Sequence, residues 1–178
     1  MVSAKCAMFD IPPGASSFMD KTNPMRILDR AGIAYAVHDY SDAGALPAAE
    51  VAERLGEEPA RVFKTLVTKS KGDRCYVFVV PATGELDLKK AAVAVGEKSV
   101  SMMPSKDLLT VTGYVHGGCS PLGMRRQFRT VVDATAAEQG RFYMSAGRVG
   151  LQIEMSFADL SKVLDYGLAD ILRRSLAV

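Results

Sequence analysis

Apolar residues in the first quarter of the chain follow a helical spacing and then an alternating one. The helical spacing begins behind Asn23 and Pro24, which predicts an N-cap followed by a first helical proline, and it ends at Gly32. Alternation over residues 33–37 predicts a half-buried strand that reaches Tyr40.

The middle of the chain contains the strongest strand pattern. Val51 and Leu55 lie on one face of a short predicted helix, and a β-branched strand follows at residues 64–68. A turn at residues 71–73 then leads to the continuous apolar run 76–80, which is typical of a buried central strand.

The second half mixes short helices with strands. Ser156 followed by Asp159 resembles a capping box for a final helix. Because strands neither alternate strictly with helices nor separate from them, the pattern predicts a single α+β domain with a mixed sheet, curled towards a barrel. The predicted elements are helices at 84–95 and 104–109, strands at 99–103 and 130–133, and a hairpin of 141–144 with 150–155.

Composition limits the possible classes of protein. The 178 residues, 48% apolar with a net charge of +2, suit one ordinary globular domain, and any nucleic-acid contact must come from local basic patches. Three widely spaced cysteines lack metal-ligand spacing, which favours free thiols in a reducing cytoplasm and no metal site. No apolar run approaches the roughly 20 residues that span a bilayer.

The N-terminal residues 1–21 are interpreted as a flexible extension. They contain a Pro-, Gly- and Ser-rich segment at residues 11–17 and no continuous hydrophobic core. The domain is therefore expected to comprise residues 22–178.

Residues 113–123 are the most unusual stretch. Four glycines, a proline and a serine in eleven residues predict an ordered loop rather than a helix or central strand. Backbone N–H groups in such a loop approach ligands closely and form concave sites for anions or carbonyl groups. The alternative is a tight connection with a solvated basic face.

Several single residues are candidates for chemistry. Lys64, at the start of a strand, could bind a phosphate or a carbonyl oxygen, or be an ordinary surface lysine with its stem on apolar surface. Cys119 and His116 could form a nucleophile and base, although a buried free thiol is the commoner use of cysteine.

A basic cluster follows the glycine-rich loop. Arg125, Arg126 and Arg129 surround Phe128, an arrangement that permits stacking on a nucleic-acid base. A solvated charged face explains the same residues.

Taken in order, the motifs resemble the YbaK/EbsC family of aminoacyl-tRNA deacylases, relatives of the editing domain of bacterial prolyl-tRNA synthetase. The resemblance runs from residue 23 to residue 170, and the 1–21 extension lies outside it. The motifs that carry it are Tyr40, VFKTL at 62–66, GELDLKK at 84–90, TGY at 112–114, GGCSPLG at 117–123 and GRVGL at 147–151.

That resemblance implies an α+β domain with a mixed, barrel-like sheet and a pocket for the 3′ end of a mischarged tRNA. The implied reaction is hydrolysis of the ester between amino acid and terminal ribose, without metal, cofactor or protein nucleophile. In cysteine-specific members the thiol of the substrate attacks its own ester, and alanine-directed relatives activate water. Lys64 corresponds to the essential lysine that contacts the substrate near the terminal nucleotide.

The resemblance also implies a set of binding residues. The basic cluster of Arg125, Arg126 and Arg129, which is not among the motifs of the resemblance, is predicted to steer the acceptor stem of such a tRNA. The aminoacyl pocket would be formed by Tyr40, Thr65, Tyr114, Gly117, Gly118, Cys119, Ser120, Pro121, Ser145, Gly147 and Gln152.

Departures from the family pattern fall in that pocket. Cys119 replaces a commonly aliphatic residue, Gln152 an aspartate and Ala146 a glycine of cysteine-editing members, and the 41–46 loop is shorter and lacks an aromatic residue. The expected substrate is Cys-tRNA(Pro), with Ala-tRNA(Pro) or another small amino acid as the alternative and prolyl-tRNA synthetase as a candidate partner. A non-catalytic module that binds tRNA or a synthetase, and a Cys–His hydrolase, are the rival hypotheses, and the oligomeric state stays open.

Overall fold

Two β-sheets and five α-helices form the part of the chain that the structure, a computed structural model, describes: residues 7–11 and 20–174. Within those residues, no helix is long and apolar enough to cross a membrane. The helices are α1 (Asn23–Arg30), α2 (Ala48–Leu55), α3 (Leu88–Val95), α4 (Ser105–Thr112) and α5 (Phe157–Leu160). The strands are β1 (Ala7–Ile11), β2 (Tyr35–Asp39), β3 (Phe63–Ser70), β4 (Cys75–Pro81), β5 (Val100–Met102), β6 (Arg129–Asp133), β7 (Arg141–Ser145), β8 (Leu151–Ser156) and β9 (Tyr166–Ala169).

The strands divide between an antiparallel sheet and a mixed one. The four-stranded sheet has the order β1-β2-β8-β7, and the five-stranded sheet has the order β5-β3-β4-β6-β9 with parallel pairs β4–β6 and β6–β9. An isolated bridge between Val62 and Tyr143 connects them. The predicted α+β class with a mixed sheet is confirmed, but the sheet is not a closed barrel, because ladder hydrogen bonding does not continue from one sheet to the other.

The four-stranded sheet has one apolar and one polar face. Ile153 and Met155 of β8 are fully buried against Phe142 and Leu28, and burying each such side chain stabilises the fold by about 2 kcal/mol. Since side chains alternate along a strand, Gln152 and the residues beside it occupy the opposite face. That polar face is directed towards the candidate site.

Both faces of the five-stranded sheet are covered, as the apolar run 76–80 predicts. Phe78 packs with the α3 residue Val95 on one face. Val77 packs with Leu108 of α4 on the other. Strand β4 therefore has no solvent-facing side, which explains the absence of alternation in its sequence.

The predicted helix starts need small corrections. Thr22, not Asn23, precedes α1 as its N-cap residue. Helix α3 begins at Leu88 rather than residue 84, because the Asp87 carboxylate accepts hydrogen bonds from the backbone N–H groups of Lys89 at 2.9 Å and Lys90 at 3.1 Å. The predicted helix 104–109 is longer than expected, since α4 continues to Thr112.

The end of the chain differs from the prediction. Helix α5 is a single turn, and Ser156 at its N-cap makes no side-chain capping hydrogen bond, so the capping box does not form. Strand β9 follows and pairs in parallel with β6, from Thr130 opposite Tyr166 onward. No strand was predicted there.

The N-terminal prediction also needs correction. Residues 7–11 form strand β1, which pairs antiparallel with β2 at the edge of the four-stranded sheet and is therefore part of the fold. Residue Lys21 forms an ion pair with Asp29 at 2.6 Å. Residues 1–6 and 12–19 lie outside the described residues.

Candidate active site

A cavity of about 480 Å³ lies at the seam between the two sheets. One wall is the first half of β3, where the strand is not yet paired with β5, since that pairing covers only residues 68–70. The opposite wall is the polar face of the four-stranded sheet. Helix α2, the end of β5 and the glycine-rich loop complete the lining.

Lys64 is the cationic residue of this lining. Its Nζ donates to the carbonyl oxygen of Ala82 at 3.1 Å. Burial lowers the pKa of Lys64, and the nearby Glu85 carboxylate partly opposes that shift. Within the described residues that line the cavity there is no carboxylate, so the field inside it favours an electron-rich group.

The polar wall is built by strand register. Gln152 of β8 lies directly opposite Ser145 of β7, and Tyr40 follows β2 on the same face. The Gln152 Nε2 donates to the Tyr40 hydroxyl at 3.2 Å. Burial raises the pKa of that hydroxyl, while the hydrogen bond from Gln152 opposes the shift. The tyrosine is therefore neutral and acts as an acceptor for the amide.

Two buried polar atoms of the cavity have no hydrogen-bond partner among the described residues. They are the Oε1 atom of Gln152 and the Oγ1 atom of Thr65. Buried polar groups are nearly always paired in folded proteins, because an unpaired one costs about 1–3 kcal/mol. Their position on facing walls is the arrangement expected of a site that offers these atoms to a ligand.

Internal hydrogen bonds hold the glycine-rich loop in place. The Tyr114 hydroxyl donates to the carbonyl of Leu122 at 2.6 Å, and its backbone N–H donates to the Thr112 hydroxyl at 3.0 Å. The buried Ser120 hydroxyl accepts the backbone N–H of Leu122 at 3.3 Å. As predicted, residues 113–123 form an ordered loop outside any helix or strand.

Two glycines allow this loop to pack on the turn between β7 and β8. A Cβ on Gly118 would lie 2.9 Å from the backbone nitrogen of Val149. One on Gly147, whose φ is +86°, would lie 2.9 Å from the Tyr114 ring. Neither position has room for a larger residue, so both glycines are required for this close packing.

The backbone N–H groups of the loop differ in availability. That of Gly118 donates to the Val115 carbonyl at 3.0 Å and is already engaged. Those of Gly117 and Cys119 donate to no group in the described part of the chain, and both residues line the cavity. Of the predicted loop residues, Gly118 therefore has its N–H already bonded, whereas the N–H groups of Gly117 and Cys119 have no partner within the described residues.

Cys119 and His116 both line the cavity, but they do not form a dyad. No hydrogen bond joins them, and His116 is exposed whereas Cys119 is buried. Burial raises the pKa of the Cys119 thiol to about 12, despite an opposing hydrogen bond from Thr112. A thiol in that environment is protonated at neutral pH and is a poor nucleophile.

The structure separates the predicted binding residues into two groups. Those in the lining, with Lys64, are Tyr40, Thr65, Gly117, Cys119, Ser145 and Gln152. Those behind the lining, where they hold the loop and the turn, are Tyr114, Gly118, Ser120, Pro121 and Gly147.

The three arginines lie away from the cavity lining. Arg129 donates to the carbonyls of Ala94 and Val95 at the end of α3, on the other face of the five-stranded sheet. Arg126 stacks on the Phe128 ring at 4.9 Å. Arg125 is exposed beside the loop. A role for them in steering tRNA stays a prediction.

Sequence reasoning missed the apolar part of the lining. Leu46 precedes α2 and Val51 lies within it, whereas Met102 ends β5 and Met103 follows it directly. The Val51 pattern indicated only a packed helix face, and the adjacent methionines carried no signal of their own, because only the packing of β5 on β3 brings them to the cavity.

The chain matches a protein family defined by editing of aminoacyl-tRNA. The family profile described as "Aminoacyl-tRNA editing domain" matches residues 43–163, and the chain belongs to that family. Among curated relatives, EbsC of Enterococcus faecalis, named as a candidate Cys-tRNA(Pro)/Cys-tRNA(Cys) deacylase, is 44% identical over 137 residues, or 76% of this chain and 84% of EbsC. YwhH of Bacillus subtilis is 25% identical over 113 residues, covering 64% of this chain and 71% of YwhH.

Solved structures share the fold. A structure titled as a candidate trans-editing enzyme for prolyl-tRNA synthetase superposes with a TM-score of 0.73 at 21% identity, over 84% of this chain and 94% of that one. The hypothetical protein APE2540 superposes with a TM-score of 0.76 at 21% identity, over 85% of this chain and 100% of its own.

Proposed function

We propose that this protein removes a wrongly attached small amino acid from tRNA, with Cys-tRNA(Pro) as its first substrate. The observation that carries this proposal is a cavity lined by Lys64 that also holds two unpartnered buried polar atoms, Thr65 Oγ1 beside Lys64 on β3 and Gln152 Oε1 on the wall of the other sheet. Family membership and the name of the 44% identical relative support it.

The reaction is cleavage of the ester between the amino acid carbonyl and the terminal ribose. A nucleophile forms a bond to the carbonyl carbon, the carbon–oxygen ester bond breaks, and the ribose hydroxyl leaves with a proton. For a cysteinyl ester the nucleophile is the thiol of the substrate, whereas an alanyl or seryl ester requires water. Cys119 is not needed as the nucleophile, in keeping with its protonated state.

Positioning and electrostatics supply the rate. The free N–H groups of Gly117 and Cys119 are suited to the carbonyl oxygen, on which negative charge develops in the transition state. Lys64 holds the terminal phosphate or the same oxygen. Burial lowers the pKa of Lys64 and reduces the water competing for its Nζ, which strengthens its contact with an anion.

Gln152 and Thr65 select the amino acid. The Gln152 Oε1 accepts a hydrogen bond from the α-ammonium group or the thiol of the substrate, and the Thr65 hydroxyl lies on the facing wall. An amide accepts without adding charge, unlike the aspartate that cysteine-editing relatives carry. Apolar residues such as Leu46 and Val51 limit the size of the side chain that enters.

The test is deacylation of tRNA(Pro) charged separately with Cys, Ala, Ser or Pro. We expect wild type to hydrolyse Cys-tRNA(Pro) fastest and to leave Pro-tRNA(Pro) intact. Lys64→Ala should lower the rate by roughly 100- to 1,000-fold, the range for loss of one group that stabilises an oxyanion. The matched control is Lys162→Ala, an exposed lysine outside the cavity.

Each other outcome selects a different function. Faster hydrolysis of the alanyl ester would replace cysteine by alanine as the substrate. Binding of every charged tRNA without turnover would identify a non-catalytic tRNA-binding module. A wild-type rate in Lys64→Ala would remove Lys64 from the mechanism.

The substrate also suggests the location and partner of the protein. Charged tRNA is used in the cytoplasm, and we place the protein there. Because the net charge is only +2, selection of tRNA(Pro) could depend on prolyl-tRNA synthetase, which addition of the synthetase to the same assay would reveal as a lower KM.

A further inference from the structure

His116 lies at the mouth of the cavity. Within the described residues, the side chains of the lining that can gain or lose a proton are those of Tyr40, Lys64, His116 and Cys119. Of these, His116 is exposed, whereas Tyr40 and Cys119 are buried and Lys64 is half-buried. A residue that is both exposed and part of the lining marks the place where the cavity opens to solvent.

A closed turn holds His116 at this place. The backbone N–H of Gly118 donates to the carbonyl of Val115 at 3.0 Å, so His116 and Gly117 form the tip of a four-residue turn. Gly117 has a φ of +83°, the conformation that a type II turn requires at its third position. A Cβ on Gly117 would lie 3.6 Å from the Cβ of Ala45, so the tip packs on the loop that precedes α2.

The imidazole of His116 is available to a substrate. It forms no hydrogen bond or ion pair with the residues that the structure describes. The next residue, Gly117, has the free backbone N–H that is suited to the carbonyl oxygen of the ester. Because the ester oxygen is bonded to the same carbon, a carbonyl held by Gly117 places the leaving ribose beside the turn that carries the imidazole. The rest of the RNA must extend into solvent, which also places the terminal ribose at the mouth.

The reaction needs a group that can both accept and donate a proton. Attack by a thiol or by water releases a proton, and the ribose oxygen takes one up as the ester bond breaks. Burial raises the pKa of the Tyr40 hydroxyl and raises that of the Cys119 thiol to about 12, so neither is a base near neutral pH. Lys64 has to remain a cation to hold an anion. Imidazole exchanges a proton near neutral pH, which makes histidine the most frequent general acid and base in enzymes.

We propose that His116 carries the proton from the attacking group to the leaving ribose, as the general base and then the general acid of the reaction. The inference rests on the proposed function for the identity of the ester. The neutral imidazole accepts the proton of the substrate thiol, or of water, as the new bond to the carbonyl carbon forms. The imidazolium then donates that proton to the ribose oxygen as the carbon–oxygen bond breaks, and the imidazole is neutral again. Where water attacks, the carboxylic acid product loses its remaining proton to solvent.

The test is single-turnover deacylation of whichever of the four tRNA(Pro) esters wild type hydrolyses fastest. His116→Gln keeps a side chain that forms hydrogen bonds but cannot carry a proton, and His116→Ala opens space for free imidazole. The matched control is Val115→Ala, since Val115 is 48% exposed in the same turn and does not belong to the lining. Binding of uncharged tRNA(Pro) is measured in parallel by fluorescence anisotropy.

We expect His116→Gln to lower the single-turnover rate by at least roughly 100-fold, the usual contribution of general acid–base catalysis, with unchanged affinity for uncharged tRNA(Pro). Free imidazole should restore part of the rate of His116→Ala in proportion to its concentration, after subtraction of the rate without protein. It should not raise the rate of wild type or of Lys64→Ala. Val115→Ala should behave as wild type.

Three results would overturn the proposal. They are a wild-type rate in His116→Gln, a loss of rate matched by an equal loss of tRNA affinity, and no effect of imidazole on His116→Ala. The rate of wild type separates this inference from the proposed function. If wild type hydrolyses none of the four esters, the proposed function is wrong and the role of His116 falls with it. Turnover by wild type that His116→Gln retains refutes the role of His116 alone.

Discussion

Gln152 donates one hydrogen bond to Tyr40, from Nε2 to the phenolic oxygen at 3.2 Å, and leaves its own Oε1 unpaired inside the cavity. The tyrosine is 2% exposed and the glutamine 6%, so water does not freely compensate that oxygen. The unpaired oxygen thus lowers the free energy of unfolding by about 1–3 kcal/mol, and a hydrogen-bond donor on a ligand would remove this cost.

Replacing both Tyr40 and Gln152 should lower the activity without lowering the stability of the fold. In Tyr40→Phe/Gln152→Met no buried polar atom of the pair is left without a partner, so we expect a free energy of unfolding within about 1 kcal/mol of wild type or above it. The value of kcat/KM for the cysteinyl ester should fall at least roughly tenfold, the effect of losing one hydrogen bond of about 1.4 kcal/mol. Urea denaturation and deacylation assays measure the two. A large loss of stability with normal kcat/KM would contradict the assignment.

The close contact at Gly118 predicts a stability defect. A Cβ there would lie 2.9 Å from the backbone nitrogen of Val149, which cannot move without shifting the turn. We expect Gly118→Ala to lower the free energy of unfolding by about 1–3 kcal/mol, as overpacking does. Gly140→Ala is the control, since a Cβ at Gly140 would contact nothing within 4 Å. Equal stability of the two variants in urea would show that the turn adapts freely.

The buried thiol should be slow to react. Because burial raises the pKa of Cys119 to about 12, the thiolate fraction at neutral pH is very small. We expect iodoacetamide at pH near 7.5 to modify the more exposed Cys75 well before Cys119, and urea to abolish the difference. Peptide mass spectrometry gives the two rates. Rapid modification of Cys119 in the folded protein would contradict this prediction and support the rival hypothesis of a Cys–His hydrolase.

Acid should unfold the protein partly through Glu154. Burial raises its pKa, but hydrogen bonds from His38, at 2.8 Å, and from Arg141 outweigh this effect, and the net pKa is lowered below the ordinary 4.5. A carboxyl whose pKa is lower in the folded state stabilises the protein above its unfolded pKa. That contribution is therefore lost as the pH falls below about 4.5.

Unfolding free energies measured from about pH 6 to about pH 3 test this effect. At about pH 6, Glu154→Gln should have a lower free energy of unfolding than wild type. On acidification to about pH 3, its free energy of unfolding should fall by less than that of wild type. The control is Glu58→Gln, since Glu58 is exposed and forms no ion pair within the described residues. Parallel acid curves for wild type and Glu154→Gln would exclude Glu154 as the cause.

Local patterns predicted the elements whose folding depends on local signals. The strand containing Lys64, the apolar strand β4 and the β7–β8 hairpin were all expected, because period and turn residues determine them. Strand β9 was missed because its sequence YGLA carries little strand signal, and parallel pairing with β6 stabilises it. Similarly, β1 depends on its edge pairing with β2.

The same distinction applies to the site. Lys64, Tyr40 and Gln152, which the family resemblance predicts as site residues, line one cavity, and strand register brings them there. The resemblance did not reveal that Gly118 and Gly147 serve packing, because a glycine required for a close contact and one required for a ligand look alike in sequence. Nor did it show that the guanidinium of Arg129 donates a hydrogen bond to the carbonyl oxygen of Val95 at the end of α3.

The cavity lies at the seam between the two sheets, and its lining residues come from both of them. Lys64 and Thr65 belong to the five-stranded sheet, whereas Gln152 and Ser145 belong to the four-stranded one. Only the bridge from Val62 to Tyr143 pairs the backbones of the two sheets directly within the described residues. Under the proposed function, substitutions on the four-stranded wall can therefore change which amino acid is accepted while Lys64, on the other sheet, keeps its position.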